Sequence, residues 1–130
     1  MILNRLAGIS HSLLRIAAGL MFLCHGGQKL LGWFGGMGAP GEALPPLMMA
    51  AGVIELVGGA LIMLGWFTQP VAFIASGEMA AAYFMAHAPN GMLPIQNHGE
   101  PAALLCFIFL FLAGNGAGGL SIDAMMKRKH

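Results

Sequence analysis

The segment PLMMAAGVIELVGGALIMLGW, residues 46–66, holds one charged residue, Glu55, in an otherwise apolar run. A run of this length is enough for one α-helix to cross the roughly 30 Å of hydrocarbon in a bilayer. It lacks the strict alternation of apolar and polar residues that a barrel strand requires. The segment therefore predicts a transmembrane helix.

Three further segments have the same character, at about 10–31, 70–88 and 99–118, and glycine- and proline-containing stretches separate them. Hydrophobic residues make up 58% of the 130 residues and charged residues 8%, whereas a soluble domain has roughly 25% charged residues. We therefore predict an all-α fold: a single domain over residues 1–130, built as a four-transmembrane-helix bundle.

The basic residues predict how this bundle is oriented. Arg5 precedes the first span and Lys127, Arg128 and Lys129 follow the fourth, whereas the connections at the opposite end hold no Lys or Arg. By the positive-inside rule both termini are cytoplasmic. We expect a multi-pass membrane protein with the lipid bilayer as its main partner. The net charge of +1 argues against nucleic acid as a partner.

Ionisable residues within the predicted spans need an explanation, because a charged side chain in hydrocarbon is costly unless it pairs or contacts water. Counted along the chain, His25 and Lys29 lie in the outer half of the first span, and Glu55 lies near the middle of the second. We expect one polar cluster in the outer half, whose members are His25, Lys29, Glu55, Glu78, His87, Asn97 and Glu100.

Two points about this cluster stay open from the residues alone. Lys29 and Glu55 form either a buried ion pair that fixes helix packing or part of a ligand site. At roughly 100° per residue, His87 falls nearly opposite Glu78 on the third span. Either the helix unwinds before Pro89, or these two residues do not share one site.

Other residues predict structural roles. Arg15 and Asp123 lie near the inner surface at adjoining span ends, where we expect them to stabilise the fold. The histidines follow no ligand-spacing motif, so we predict no metal site. The glycines between Gly52 and Gly65 give the second span a small face that lets membrane helices approach closely, and we expect such faces to form a homo-oligomer.

The predicted cluster mixes His, Glu and Lys in a desolvated pocket, an arrangement that shifts pKa values and handles protons. It suits a quinone or similar small redox molecule, whose carbonyl oxygens need donors and whose reduction takes up protons. We predict that His25 and either Glu55 or Glu78 exchange protons. Lys29 then stabilises a developing oxyanion. The predicted ligand-binding residues are Glu78, Tyr83, His87, Asn97 and Glu100.

As an enzyme, the protein would be an oxidoreductase subunit acting with quinone, without a covalently bound cofactor. The same buried charges suit two other functions. In a small proton-coupled transporter they would form the pathway for protons and solute. In a non-catalytic scaffold they would hold the helices together while the protein assembles an oxidoreductase complex.

Five segments are specific when taken together and in order. They read RIAAGLMFLCHGGQKLLGWFGG at 15–36, IELVGGALIMLGWFTQP at 54–70, GEMAAAYFMAHAPNG at 77–91, NHGEPAALLCF at 97–107 and GNGAGGLSIDA at 114–124. With them the chain resembles the DoxX family of small four-helix membrane proteins over nearly its whole length. The resemblance implies a plasma-membrane protein with both termini inside and a link to redox homeostasis. Some relatives are the membrane subunit of a thiosulfate–quinone oxidoreductase, which implies a quinone ligand and a partner subunit.

The resemblance also extends to individual positions. The polar positions that match the family pattern are Arg15, His25, Lys29, Glu55, His87, Asn97 and Glu100. Ser121, Ile122 and Asp123 match its terminal motif. Where that motif usually reads Gly-Pro-Gly, this chain has Gly114-Asn115-Gly116.

Overall fold

The computed structural model describes residues 1–129, and within them the chain is helical, with no strand. The all-α prediction is confirmed. The helices are α1 (Ile2–Leu31), α2 (Pro46–Leu64), α3 (Thr68–Ala82), α4 (Pro94–Asn97), α5 (Glu100–Asn115) and α6 (Ile122–Lys127). A π-helical segment, Tyr83–His87, continues α3, and 3₁₀ turns lie at Trp33–Gly35 and Ala88–Asn90.

Two of these helices, α1 and α2, are each long and apolar enough to cross a membrane, and α5 is a shorter apolar helix. α1 begins at Ile2 and not near residue 10, because the first residues contain no proline that would break a helix. Its 30 residues span about 45 Å. Its first turns therefore extend beyond the length that hydrocarbon requires.

α1 and α2 pack as an antiparallel pair, backbone to backbone, through glycines. A Cβ on Gly26 would lie 2.3 Å from the backbone nitrogen of Leu56, and one on Gly59 would lie 2.4 Å from that of Leu23. The two helices are therefore too close at Gly26 and Gly59 for any side chain larger than the hydrogen of glycine. The glycine face of α2, from which we expected self-association, is thus largely used inside the chain.

α3 packs mainly against α5, as a second antiparallel pair. The hydroxyl of Ser76 on α3 donates to the backbone carbonyl of Cys106 on α5 at 2.8 Å. The two pairs meet around Phe22 and Phe109, which are fully buried with ring centroids 4.8 Å apart. An aromatic pair at this distance adds to the stabilisation from its buried area.

Arg15 holds together the end of the molecule at which α2 and α3 are joined. Its guanidinium is 1% exposed and donates to four backbone carbonyls. The acceptors are Ala117 at 2.8 Å, Ile62 at 2.6 Å, Leu120 at 2.5 Å and Met63. Because these carbonyls belong to the end of α2 and to the segment after α5, one side chain ties three parts of the chain together.

Asp123, on α6, adds further hydrogen bonds at the same end. Its carboxylate accepts the backbone amides of Phe67 and Thr68 at 3.0 Å each, and its own amide donates to the carbonyl of Gly65 at 2.9 Å. The free amides at the start of α3 are thereby satisfied. Arg15 and Asp123 each bind backbone groups, and they do so around the same turn between α2 and α3.

The outward faces of the long helices are apolar. Leu20 on α1, Val53 on α2, Phe73 on α3 and Phe107 on α5 are all exposed, as are most of their large apolar neighbours. A contiguous apolar surface of this extent is unfavourable in water and suits contact with lipid.

Candidate functional site

A cavity of about 550 Å³ lies between α1, α2, α3 and the start of α5. Much of its wall is apolar, with Met48, Ile54, Met79 and Leu105 among the lining residues. Its polar lining residues are His25, Gln28, Lys29, Glu55, Glu78, His87 and His98. An apolar pocket of this size with a few convergent polar groups is typical of small-molecule sites.

Lys29 and Glu55 form an ion pair in the wall of this cavity. The Lys29 Nζ donates to both carboxylate oxygens of Glu55, at 2.7 and 2.9 Å, and the two side chains are only 9% and 4% exposed. It is the one ion pair within residues 1–129. The glycine contacts between α1 and α2 set the spacing that lets it form.

Glu78 brings a second carboxylate to the same place. Its Oε2 is buried and accepts no hydrogen bond from the described residues. The charged groups close enough to interact electrostatically with this carboxyl group are Glu55 and Lys29. The three side chains carry two acidic groups and one basic group. Lys29 contacts both oxygens of Glu55, so Glu78 is the acid that Lys29 does not bind, and it lies within hydrogen-bonding reach of the Glu55 carboxyl group.

His87 reaches the same cavity because the helix changes its winding. After α3, residues Tyr83–His87 form a π-helix, whose extra residue per turn shifts the following side chains around the axis. Glu78 and His87 therefore both line the cavity, although regular α-helical spacing would place them on opposite faces. The Nδ1 of His87 donates to the carbonyl of Asn97 at 3.1 Å, so in the neutral ring Nε2 is the acceptor.

Three residues that we predicted to bind ligand, Tyr83, Asn97 and Glu100, lie outside the lining of the cavity. Asn97 is buried and holds together the connection between the π-helical segment and α5. Its side chain donates to Tyr83 Oη at 3.1 Å and to the carbonyl of Gly91 at 2.8 Å, and accepts the amide of Gly99 at 2.8 Å. Glu100 is exposed. Asn97 and Tyr83 therefore position the segment that carries His87.

Two polar lining residues, Gln28 and His98, were missed as site residues by sequence reasoning. Gln28 lies three residues after His25 and one before Lys29, so helical spacing could have placed it on the same face. His98 has a left-handed backbone, with φ of 58°, and such a conformation in a loop has no signal in the sequence. His25 itself lines the cavity but is exposed, so it lies at the rim.

Within residues 1–129, no three His, Cys, Asp or Glu side chains are arranged to hold a metal ion.

Residues 10–88 match the DoxX family. The chain belongs to the DoxX family. This match includes most of α1, all of α2 and α3 and the π-helical segment, and so it contains Lys29, Glu55, Glu78 and His87. Together with its apolar helices, membership makes this DoxX protein a membrane protein.

The chain is also similar over most of its length to a second protein. An uncharacterised protein of Haemophilus influenzae is 42% identical over 123 residues, covering 89% of this chain and 90% of its own length. No solved structure matches the chain.

Proposed function

We propose that this DoxX protein spans the plasma membrane several times and binds a quinone, or a similar small redox molecule, in the cavity between its helices. The observation that carries the proposal is the position of Lys29, Glu55 and Glu78 together in the wall of an otherwise largely apolar cavity of about 550 Å³. A flat ring with carbonyl oxygens suits such a site, since apolar walls accept the ring and a few donors bind its oxygens.

The polar residues have complementary roles in this proposal. Lys29 donates to a carbonyl oxygen of the quinone and stabilises the negative charge that develops on it during reduction. Reduction of a quinone to a quinol takes up two electrons and two protons. Glu55 or Glu78, with His25 at the rim, exchanges those protons with the surroundings. The electrons would come from a partner oxidoreductase subunit.

Binding measurements with the purified protein test the proposal. A benzoquinone should bind saturably to the wild type in detergent, and Lys29→Met should weaken that binding at least about tenfold. The matched control is Glu42→Gln, which removes an exposed charge from the connection at the same end without touching the cavity. Equal affinity in wild type and Lys29→Met, or no saturable binding, would refute the quinone site.

The proposed multi-pass arrangement is supported by two copies of one tetrapeptide. Leu-Gly-Trp-Phe ends α1 at residues 31–34 and occurs again at the end of α2, at residues 64–67. In both copies the glycine and the phenylalanine have positive φ, and the tryptophan is 39% exposed. Because α1 and α2 are antiparallel, the copies lie at opposite ends, where tryptophan favours the two membrane interfaces.

Depth measurements test this placement, because Trp33 and Trp66 are the only tryptophans in the chain. In Trp66→Phe and Trp33→Phe variants, lipids brominated near the headgroup should quench the remaining tryptophan best. If bromine at the end of the lipid acyl chain quenches best, the remaining tryptophan does not lie at the membrane interface.

The orientation in the membrane is tested separately. An impermeant maleimide on intact cells should label Glu42→Cys and not Lys127→Cys.

A second function, a small proton-coupled transporter, is favoured by one observation. Glu78 lies within a helix with a buried oxygen that no described residue satisfies, and intramembrane carboxylates of this kind often carry protons in transporters. In proteoliposomes a pH gradient should then drive solute uptake without an electron donor, and Glu78→Gln should abolish it.

A further inference from the structure

The gap between α2 and α3 widens from the inner end to the outer end. The three residues Gly65–Phe67 join the two helices, and Asp123 and Arg15 hold this turn. Beyond the turn, α2 packs mostly against α1, and α3 packs mostly against α5. Because the two helices follow different partners, they leave a wedge between them, and the cavity occupies it.

This wedge is lined by small residues on both sides. Alanines line the cavity from α2 and from α3 and the π-helical segment: Ala50, Ala51, Ala81, Ala82 and Ala86. Leu47 and Met85 line it too, and they are 61% and 62% exposed. Since the same side chains border the cavity and the outer surface of the helices, the cavity opens between them. Between α2 and α3 the opening is apolar, which suits contact with lipid, and the exposed His25 on α1 lies at another part of the rim.

The opposite part of the cavity is polar. The Lys29 and Glu55 side chains are nearly buried, and Glu78 lies beside them. A ligand that fills the cavity must therefore present hydrogen-bonding groups at one end and hydrocarbon at the other. A wholly polar solute would make no apolar contacts in the opening between α2 and α3, hereafter the mouth. A wholly apolar solute would desolvate the ion pair and Glu78 without offering them hydrogen bonds.

We infer that the cavity takes an amphiphile with an apolar tail, its polar head at Lys29, Glu55 and Glu78 and its tail leaving between α2 and α3 into the lipid. This inference rests on the proposed function and names the ligand class of that site. Among quinones it selects those that carry a tail and are dissolved in the membrane. The ligand then enters from the bilayer, and the outer connections need not open.

Equilibrium binding of two probes tests the inference: one benzoquinone head without a tail, and the same head with a decyl tail. Ala50→Trp and Ala81→Trp place an indole in the mouth, at positions that are already exposed. Both variants should bind the tailed probe at least about tenfold more weakly and the tailless probe nearly as tightly as the wild type does. Ala17→Trp, at an exposed position of α1 outside the cavity, should change neither affinity.

The outcomes separate the inference from the proposed function. If the mouth variants weaken both probes equally, or neither, the tail does not leave between α2 and α3 and the inference is overturned. If neither quinone binds the wild type, the quinone proposal fails, and a photoreactive fatty acid decides the remaining question. Its adducts on Met48 or Glu55, reduced in Ala50→Trp, would support a lateral opening. Adducts confined to outward residues such as Phe73 would overturn it.

Discussion

Removing Lys29 alone should destabilise the protein more than removing both Lys29 and Glu55. The ammonium lies 2.7 Å from the nearer carboxylate oxygen, and at an effective dielectric constant of about 20 this separation gives an attraction of about 6 kcal/mol. Desolvation of two nearly buried groups offsets much of that attraction. Deleting Lys29 leaves two carboxylates without a cation, so Lys29→Met should cost roughly 3–5 kcal/mol of unfolding free energy. Glu55→Gln should cost less, because Glu78 still offsets the charge of the ammonium.

The variants are Lys29→Met, Glu55→Gln and the double substitution. Their unfolding free energies can be measured in mixed micelles by raising the SDS fraction and following the helical circular dichroism. We expect the double variant to lose less stability than Lys29→Met, because it leaves one carboxylate, Glu78, without a cation instead of two. Glu42→Gln, at an exposed position, should change the unfolding free energy by less than about 0.5 kcal/mol.

The result that would refute this reasoning is additivity. If the loss in the double variant equals the sum of the two single losses, the groups do not interact in the folded protein. A loss below about 1 kcal/mol in each single variant would show instead that the pair is solvated like a surface salt bridge.

Three further changes test the packing around the site. Gly26→Ala should lower the unfolding free energy by roughly 1–3 kcal/mol, because its Cβ would lie 2.3 Å from the nitrogen of Leu56, whereas Gly77→Ala, with open space around it, should not lower it. Arg15→Lys should cost roughly 2–4 kcal/mol in the same assay, since one ammonium cannot reach all the carbonyls that the guanidinium binds; wild-type stability would show that charge alone suffices. Asn97→Ala removes three side-chain hydrogen bonds and should accelerate amide hydrogen exchange across residues 88–99, and unchanged exchange would contradict its role in that connection.

The helical segments could be predicted from sequence because the signal is local. An apolar run such as residues 46–66 predicts a helix wherever it lies, and Pro46 begins α2 in the structure. The proximity of Lys29 and Glu55 could be weighed in the same way, since each is costly in lipid unless it meets a partner. Both inferences follow from the properties of single segments.

The composition of the site could not be predicted so fully, because it depends on backbone geometry. Helical arithmetic places Glu78 and His87 apart, and only the π-helical segment brings both to the cavity. Asn97 has the residue type of a ligand-binding group, yet its amide is used within the outer connection. Whether a polar side chain near a predicted site binds the loop or the ligand depends on contacts made across the fold.

Glu78 is where the proposed functions can be told apart. Lys29 uses both oxygens of Glu55, so the ion pair can fix the geometry of the cavity without exchanging a proton. The second carboxylate has a buried oxygen without a donor, and a ligand hydroxyl, a proton or a cation could each satisfy it. Glu78→Gln keeps the shape and hydrogen-bonding capacity of the side chain but cannot gain or lose a proton. If quinone binding survives this change while turnover with a partner subunit stops, Glu78 exchanges protons during the reaction; if both survive, it only lines the site.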